Sequence, residues 1–336
     1  MECKLKYRIF IFLLFALLII SAILSIFIGR YSISGKDIFK MFSNLSNLAN
    51  DGKTSIIFNI RLPRIIATAL VGMGLAASGA TFQAVLNNSL ASPDVLGTSS
   101  AAGFGAAFAM LLFKEHAVLI SLNSFIFGLI SILMVYGICA LKKSTDSLSI
   151  ILSGIIITSL FMSFTSAIKF VADPNDALPA ITFWLMGSFS SVDKNYVYYV
   201  LPIFLIGYLI LYLLRFKMNI LSLGDEEAKL SGINPASLRI ILLTTSSILV
   251  SASVTMAGVI GWVGLVIPHL VRSLVGYNHG KLIPVSALMG AIFLLIVDDV
   301  ARSISAAEIP IGILTSLIGA PIFAILFIRS GGDDRS

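Results

Sequence analysis

Ten long apolar runs, separated by short polar segments, set the strongest limit on what this chain can fold into. A hydrocarbon core about 30 Å thick is crossed by a helix of about 20 residues, and backbone groups in lipid are satisfied only in helices or closed barrels. These runs are too long and too continuously apolar for barrel strands. The predicted crossings are residues 9–28, 62–84, 97–113, 117–141, 148–171, 196–215, 238–258, 260–276, 282–302 and 309–328.

The composition excludes a water-soluble domain. Of the 336 residues, 57% are hydrophobic and only 12% are charged, whereas soluble domains carry about 25% charged residues. The first run follows Lys4, Lys6 and Arg8, as a secretion signal would, but it is long for such a signal and no A-x-A site follows it. We therefore predict an all-α membrane protein of one domain, residues 1–336, with the first helix retained.

The basic residues predict the orientation of the chain, because Lys and Arg collect in cytoplasmic loops. They are scattered between apolar blocks, which argues against nucleic-acid binding. With the N-terminus inside, the predicted inner set is Lys4, Lys6, Arg8, Lys142, Lys143, Arg215, Lys217, Lys229, Arg239, Arg272, Lys281 and Arg329. The predicted outer set is Arg30, Lys36, Lys53, Arg61, Lys114, Lys194 and Arg302. The excess inside favours ten helices in the cell membrane with both termini cytoplasmic.

Two apolar segments open alike, which suggests an inverted repeat. Leu62-Pro63-Arg64-Ile65-Ile66 resembles Leu238-Arg239-Ile240-Ile241, and the two segments lie five crossings apart, so they would run in opposite directions. Inverted repeats are common in transporters. Residues 72–80 are also dense in Gly, Ala and Ser, which permit close helix approach. That density fits ordinary bundle packing or a helix at the centre of the bundle.

The longest cytoplasmic polar stretch, residues 223–234 within a loop of about 221–236, reads as a short amphipathic helix. Asp225, Glu226 and Glu227 lie at its start, where the helix dipole favours negative charge, and Gly232 suits a left-handed cap. A short exposed helix of this kind suits docking onto a soluble partner. A solvated loop helix without a partner is the alternative.

Several motifs, in order over about residues 30–330, resemble the iron–siderophore and cobalamin importer permeases of the FecCD type. The loop just described resembles the coupling segment of that family. The other matching runs are Arg61–Arg64, Gly79–Gln83, Asn87–Gly97, Phe183–Ser188, Gly261–Arg272, Glu308–Gly312 and Gly319–Pro321. The resemblance implies a type II importer permease architecture with internal inverted repeats.

The resemblance also implies partners and site residues. Two permeases, identical or paralogous, would form a dimer around a path in the lipid membrane, dock two ATP-binding subunits, and receive cargo from an extracytoplasmic binding protein. The implied ATPase-coupling residues are Gly224, Asp225, Glu226, Glu227, Ala228, Lys229, Leu230 and Gly232. The implied docking residues for the binding protein are Arg61, Arg64 and Arg302. The implied gate and path residues are Phe183, Trp184, Met186, Gly187, Gly79 and Gln83.

No cofactor is expected on the chain itself. Gly52-Lys53-Thr54 lacks the glycine that a phosphate-binding loop needs at position 47, so ATP and Mg²⁺ would be used by the partner. No catalytic motif is visible, so we expect a non-enzymatic subunit. The resemblance implies an iron chelate as cargo, with cobalamin and haem as alternatives. A secondary transporter and a membrane enzyme are the rival functions.

Three ionisable residues in the apolar runs have two interpretations each. Asp298 and Asp299 fall near the outer end of their helix with Arg302 one turn on, which predicts an Asp–Arg pair at helical spacing. A proton or metal role is the alternative, because carboxylates at membrane depth are often functional. For His269, beside Pro268, we expect a hydrogen-bonded structural role rather than metal ligation.

Overall fold

The computed structural model describes residues 2–29, 31, 34, 52–113, 116–305 and 308–333, and within these ranges it has twelve helices and no strand. The helices are α1 (Glu2–Phe27), α2 (Gly52–Val85), α3 (Thr98–Phe113), α4 (Ala117–Lys142), α5 (Ser147–Val171), α6 (Ala177–Leu185), α7 (Lys194–Leu221), α8 (Asp225–Leu230), α9 (Pro235–Ala257), α10 (Val263–Val275), α11 (His279–Ile304) and α12 (Ile311–Asp333). The all-α prediction is confirmed.

The ten predicted crossings coincide with ten of these helices. Seven are long and apolar enough to span a membrane: α1, α2, α4, α5, α7, α9 and α11. Three crossings are shorter apolar helices, namely Thr98–Phe113, Val263–Val275 and the apolar part of α12, Ile311–Leu326. The chain is a multi-pass membrane protein, and the remaining helices α6 and α8 lie in its connections.

The bundle has two faces. We call the face that carries α8 the coupling face, after the role that the resemblance implies for this helix. At this face the Asn219 amide nitrogen donates to the Asn278 side-chain oxygen at 3.3 Å, which joins the end of α7 to the start of α11. The opposite face carries the end of α1 and the end of α11, where Arg302 Nη2 donates to the Ser25 carbonyl oxygen at 2.7 Å. Arg30, Lys36 and Lys114 of the predicted outer set lie outside the described residues, as do the side chains of Lys4 and Arg329.

Helix α2 lies at the centre of the bundle, which was the second of the two interpretations of its small residues. It packs against α7, α9, α10 and α11. Its most apolar window is 83% buried, whereas the window of α1 is 11% buried. Small residues make this possible, because a Cβ added to Gly72 would lie 2.3 Å from the Gly290 carbonyl oxygen of α11. The two backbones therefore touch.

One turn near the start of α2 is wound more widely than an α-helix. Ile57–Arg61 is π-helical, and the Leu62 N–H donates to the Ile57 carbonyl oxygen, five residues back. Pro63 has no N–H to donate, so the regular ladder is interrupted at this point. The wide turn places Arg61 and Arg64 at the opposite face, where both are buried.

Candidate functional site

The coupling-face helix α8 is a six-residue helix bounded by two glycines in positive-φ conformations. Gly224 precedes it with φ 122° and Gly232 follows it with φ 74°. The Ile233 N–H donates to the Ala228 carbonyl oxygen at 2.9 Å and the Gly232 N–H to the Lys229 carbonyl oxygen at 3.0 Å, which closes the helix. The positive φ and these two bonds confirm the left-handed cap predicted at Gly232. A residue with a Cβ would be strained there.

An ion pair and one buried side chain fix α8 to the bundle. Arg239 of α9 binds both carboxylate oxygens of Asp225, with Nη1 to Oδ2 at 3.0 Å, and Ala228 is fully buried. The hydrogen bond from Arg239 lowers the pKa of Asp225 below its usual value. The anchored helix exposes Glu226, Glu227, Lys229 and Leu230, the last of which is 84% exposed. This ridge of charges with an apolar tip can contact a protein surface.

A pocket of about 460 Å³, lined mostly by residues with polar side chains, lies between the ends of α2 and α7 at the coupling face. Gln83 is one of its lining residues, and Gln83 Oε1 accepts from Arg272 Nη2 at 2.7 Å. Gln83 is only 3% exposed. The side chain predicted to line the cargo path is thus held inside the chain by Arg272, and in this conformation it faces the coupling-face pocket.

Gly79, also predicted to line the path, makes a contact within the chain as well. It is buried on α2, and a Cβ at this position would lie 1.8 Å from the Gly264 carbonyl oxygen at the start of α10. Helices α2 and α10 therefore meet backbone to backbone at Gly79. The contact that the structure shows is close helix packing, and the role of Gly79 in lining the path stays a prediction.

The predicted gate segment joins three parts of the opposite face through backbone hydrogen bonds. The Ser188 N–H donates to the Ala257 carbonyl oxygen at 2.8 Å, the Ile311 N–H to the Gly187 carbonyl oxygen at 2.9 Å, and the Gly312 N–H to the Met186 carbonyl oxygen at 3.0 Å. Gly187 has φ 79° and is buried, so its chain reversal requires glycine. The end of α6 is thereby fixed to the end of α9 and the start of α12.

An apolar groove of about 530 Å³ opens beside this segment. None of its described lining residues carries a charge: Leu185, Met186, Val259, Gly261, Trp262, Gly312, Ile313, Ser316 and Leu317. The predicted gate residues Phe183 and Met186 are exposed, at 49% and 38%, and Trp184 is half-buried. Such a groove can guide a bulky molecule without binding it tightly.

Trp262 lines the groove, whereas from the sequence it was named only as part of the Gly261–Arg272 motif. It has φ 70°, a strained conformation for a residue with a side chain, and its ring packs against Phe323 at 6.2 Å between centroids. A Cβ on Gly319 would lie 2.6 Å from the Trp262 Cβ, so the glycine makes room for the indole. A positive φ at tryptophan has no local sequence signal.

Of the three arginines predicted to dock a binding protein, Arg64 and Arg302 belong to a buried ion cluster at the opposite face. Arg64 Nε donates to Asp298 Oδ2 at 3.0 Å, and Arg64 Nη1 donates to Glu308 Oε1 at 3.0 Å. Arg302 lies 3.7 Å from Asp298 and also binds Asp299. Asp299 accepts from the Ser25 hydroxyl at 2.7 Å. We define the ion cluster as Arg64, Arg302, Asp298, Asp299 and Glu308.

This burial changes how the arginines can act. Arg61, Arg64 and Arg302 are only 4%, 6% and 5% exposed. Arg61 donates to the carbonyl oxygens of Ile26 and Tyr31. In this conformation their guanidinium groups contact the chain itself rather than an outside surface, so direct docking by Arg64 and Arg302 requires that an existing partner be displaced.

The other ionisable predictions have mixed outcomes. The Asp–Arg pairing at helical spacing is confirmed by the contacts of Arg302 with Asp298 and Asp299. His269 stacks edge-on against Phe323 at 6.0 Å, but its Nδ1 has no hydrogen-bond partner, so the hydrogen-bonded role is wrong for that nitrogen. Among the described residues no cluster of His, Cys, Asp or Glu could hold a metal ion.

Comparison with known proteins gives a consistent result over almost the whole length. The sequence profile of the FecCD transport family matches residues 17–329. The molybdate import system permease protein MolB of Haemophilus influenzae is 40% identical over 97% of this chain and 98% of its own. The Fe(3+)-citrate import system permease protein YfmE of Bacillus subtilis is 40% identical over 94% of this chain and 93% of its own.

Solved structures agree with the sequences. One is an inward-facing conformation of a transporter assigned to the metal-chelate type of ABC transporters; its TM-score is 0.87 at 39% identity, covering 96% of this chain and 99% of its own. A second, PsaBC from Streptococcus pneumoniae in complex with Fab, has a TM-score of 0.55 at 18% identity, covering 85% of this chain and 95% of its own. The second likeness supports the shared fold alone.

Proposed function

The chain belongs to the FecCD transport family, as a permease subunit of an ABC importer, and from that premise we propose that it carries an iron chelate across the cell membrane. The observation that supports this cargo is the uncharged groove between the gate segment, Trp262 and α12. A path without charged ligands lets a bulky chelate pass without being trapped. Relatives named as iron chelatin and Fe(3+)-citrate permeases support the same class.

Molybdate is the second candidate cargo, since MolB is as similar to this chain as YfmE is. Cobalamin and haem also occur in the names of relatives. The test is uptake by the reconstituted importer of radiolabelled ferric citrate and of radiolabelled molybdate, each with excess unlabelled competitor. Uptake of molybdate alone would overturn the iron proposal.

We propose that the exposed ridge of α8 docks an ATP-binding subunit. Glu226→Lys combined with Glu227→Lys should abolish co-purification of the ATPase and lower uptake by at least about tenfold, because two carboxylates at the contact change sign. The matched control is Asp173→Lys combined with Asp176→Lys, two exposed carboxylates on the opposite face. Unchanged assembly of the α8 variant would contradict the coupling role.

We place the coupling face in the cytoplasm, with both termini. Ten described Lys and Arg residues lie at this face: Lys6, Arg8, Lys142, Lys143, Arg215, Lys217, Lys229, Arg239, Arg272 and Lys281. Six lie at the opposite face: Lys53, Arg61, Arg64, Lys169, Lys194 and Arg302. The excess follows the positive-inside rule. A membrane-impermeant maleimide should label Asp176→Cys in intact cells and Ser231→Cys only after lysis; the reverse pattern would overturn this orientation.

The remaining partners follow from the same proposal. A second permease copy or paralogue would complete the path, two ATP-binding subunits would use ATP and Mg²⁺, and an extracytoplasmic binding protein would deliver cargo at the opposite face. The band of exposed apolar side chains on α1, α4, α5 and α7 leaves surface for both lipid and a second permease. Uptake that persisted without any ATPase but collapsed with an ionophore would favour a secondary transporter instead.

A further inference from the structure

Glu308 differs from the other carboxylates of the ion cluster in position and exposure. Asp298 and Asp299 lie on α11, with side chains 0% and 13% exposed, whereas Glu308 lies on the connection to α12 and its side chain is 23% exposed. It is the most accessible acidic member of the cluster. It contacts Arg64 through both of its oxygens, at 3.0 and 2.9 Å.

Arg64 has two carboxylate partners that are not equivalent. Its Nε and Nη2 bind Asp298, which is fully buried and also faces Arg302. Its Nη1 and Nη2 bind Glu308 from the outer side. Another carboxylate arriving from outside could take the place of Glu308, because a guanidinium accepts any carboxylate with the same two-pronged geometry. The contact with Asp298 would be kept.

The donors of Arg64 favour such an exchange. Arg64 and Arg302 face three carboxylates, and Arg61 is held by backbone carbonyl oxygens among its described contacts. When Glu308 swings away, Arg64 keeps Asp298, and its Nη1 and Nη2 groups have lost the oxygens of Glu308. A partner that presents an acidic side chain there restores these contacts, and a basic or apolar partner does not.

Glu308 also lies on the connection that holds the gate segment. The Ile309 N–H donates to the Ala301 carbonyl oxygen at 3.3 Å. The next donors, Ile311 and Gly312, bind the Gly187 and Met186 carbonyl oxygens. A Cβ on Gly312 would lie 2.5 Å from the Met186 carbonyl oxygen, so the two segments touch. Displacing Glu308 therefore acts on the same short stretch that fixes the gate segment.

We propose that Glu308 is an exchangeable carboxylate: an acidic side chain of the docking binding protein displaces it from Arg64 and thereby loosens residues 308–312 from the gate segment. This inference rests on the proposed function, which supplies the binding protein. The exchange replaces one ion pair of Arg64 by another, so docking does not leave a buried arginine without a partner. Glu308 is both a competitor of the partner and the link between docking and the gate.

The first test measures binding of the cognate binding protein to the purified permease–ATPase complex in lipid discs. Glu308→Gln should tighten binding by about tenfold, because the internal competitor loses its charge. Asp193→Asn is the matched control: it removes a carboxylate on the same face outside the cluster and keeps a side chain that can cap α7, so it should leave binding unchanged. Unchanged or weaker binding by a correctly assembled Glu308→Gln complex would overturn the proposal.

The second test uses the wild-type complex, so it does not depend on a variant that folds. Amide hydrogen exchange at Ile311 and Gly312 should become at least about fivefold faster when the binding protein docks, although docking covers this face. Slower or unchanged exchange would overturn the proposal. If the wild-type complex neither binds a binding protein nor transports cargo, the proposed function has failed; if it does both, only the exchange at Glu308 is in question.

Discussion

Arg64 of α2 and Arg239 of α9 lie on two central helices that run in opposite directions, and each is held by an aspartate through both carboxylate oxygens. Their surroundings differ. Asp298, the partner of Arg64, is fully buried and shares it with Glu308, whereas the side chain of Asp225, the partner of Arg239, is 43% exposed. The comparison shows one ion pair that stabilises the interior and one that holds a surface helix.

The difference explains how the two faces treat charge. At the opposite face the charged groups satisfy each other inside the bundle, so an outside partner has to compete for them. At the coupling face the single Asp225–Arg239 pair anchors α8, and Glu226, Glu227 and Lys229 are left exposed for contact. Similar sequence starts at residues 62 and 238 thus lead to two different uses of arginine.

The largest effect should come from removing the buried carboxylate. Asp298→Asn leaves Arg64 and Arg302 without their shared charge, and breaking a buried pair costs about 3–5 kcal/mol. Thermal unfolding of the detergent-solubilised chain should show a large loss of stability. Asp193→Asn serves as the control. A loss no larger than that of the control would mean that the two ends of the bundle do not differ as described.

A smaller loss of stability should come from a substitution in α2, the helix that connects the two faces. Gly79→Ala places a Cβ 1.8 Å from the Gly264 carbonyl oxygen, and such overpacking costs about 1–3 kcal/mol. Gly137→Ala, on α4, is the matched control, because a Cβ there meets nothing within 4 Å. If both variants unfold at the wild-type temperature, Gly79 is not a packing position.

The smallest effect should come from the exposed pair. Asp225→Asn should destabilise α8 by at most about 1 kcal/mol, since exposed ion pairs contribute little. Hydrogen exchange of Ile233, whose N–H closes the helix, should become faster while thermal unfolding of the bundle stays the same. A loss of stability as large as that of Asp298→Asn would remove the contrast between the faces.

The Asp225–Arg239 ion pair predicts that the stability of α8 depends on pH. The pKa of Asp225 is lower in the folded chain than in the unfolded chain, so its contribution is complete above the unfolded value of about 3.9 and is lost as pH falls through the folded value. Exchange at Ile233, corrected for the intrinsic pH dependence, should therefore accelerate below about pH 4 in the wild type and not in Asp225→Asn. Equal profiles would argue against the Arg239 contact.

Features of the fold that depend on local pattern could be predicted from the sequence. The ten apolar helices, seven of them long enough to span a membrane, follow from the length of apolar runs. The cap at Gly232 follows from glycine after a short amphipathic stretch, and the pairs of Arg302 follow from helical spacing. Each of these signals lies within one or a few helical turns.

Features that depend on contacts between distant segments could not be predicted in the same way. Asp298 and Glu308 lie 234 and 244 residues after Arg64, and no local spacing indicates that they meet. The arginines were therefore expected at an outer surface. Gly79 and Gln83 were expected along the path because family motifs contain them, and no local spacing indicates their contacts with Gly264 and Arg272.

The contact of Gly72 with Gly290 has a consequence for how such a machine can change over time. Two helices that meet through bare backbone have no side chains at the seam that could repack, so we expect α2 and α11 to move together as one rigid body. Substitutions at this seam would be rejected whatever the cargo. Adaptation to a new nutrient is then confined to the groove and the loops, where side chains can be exchanged without disturbing the α2–α11 pair.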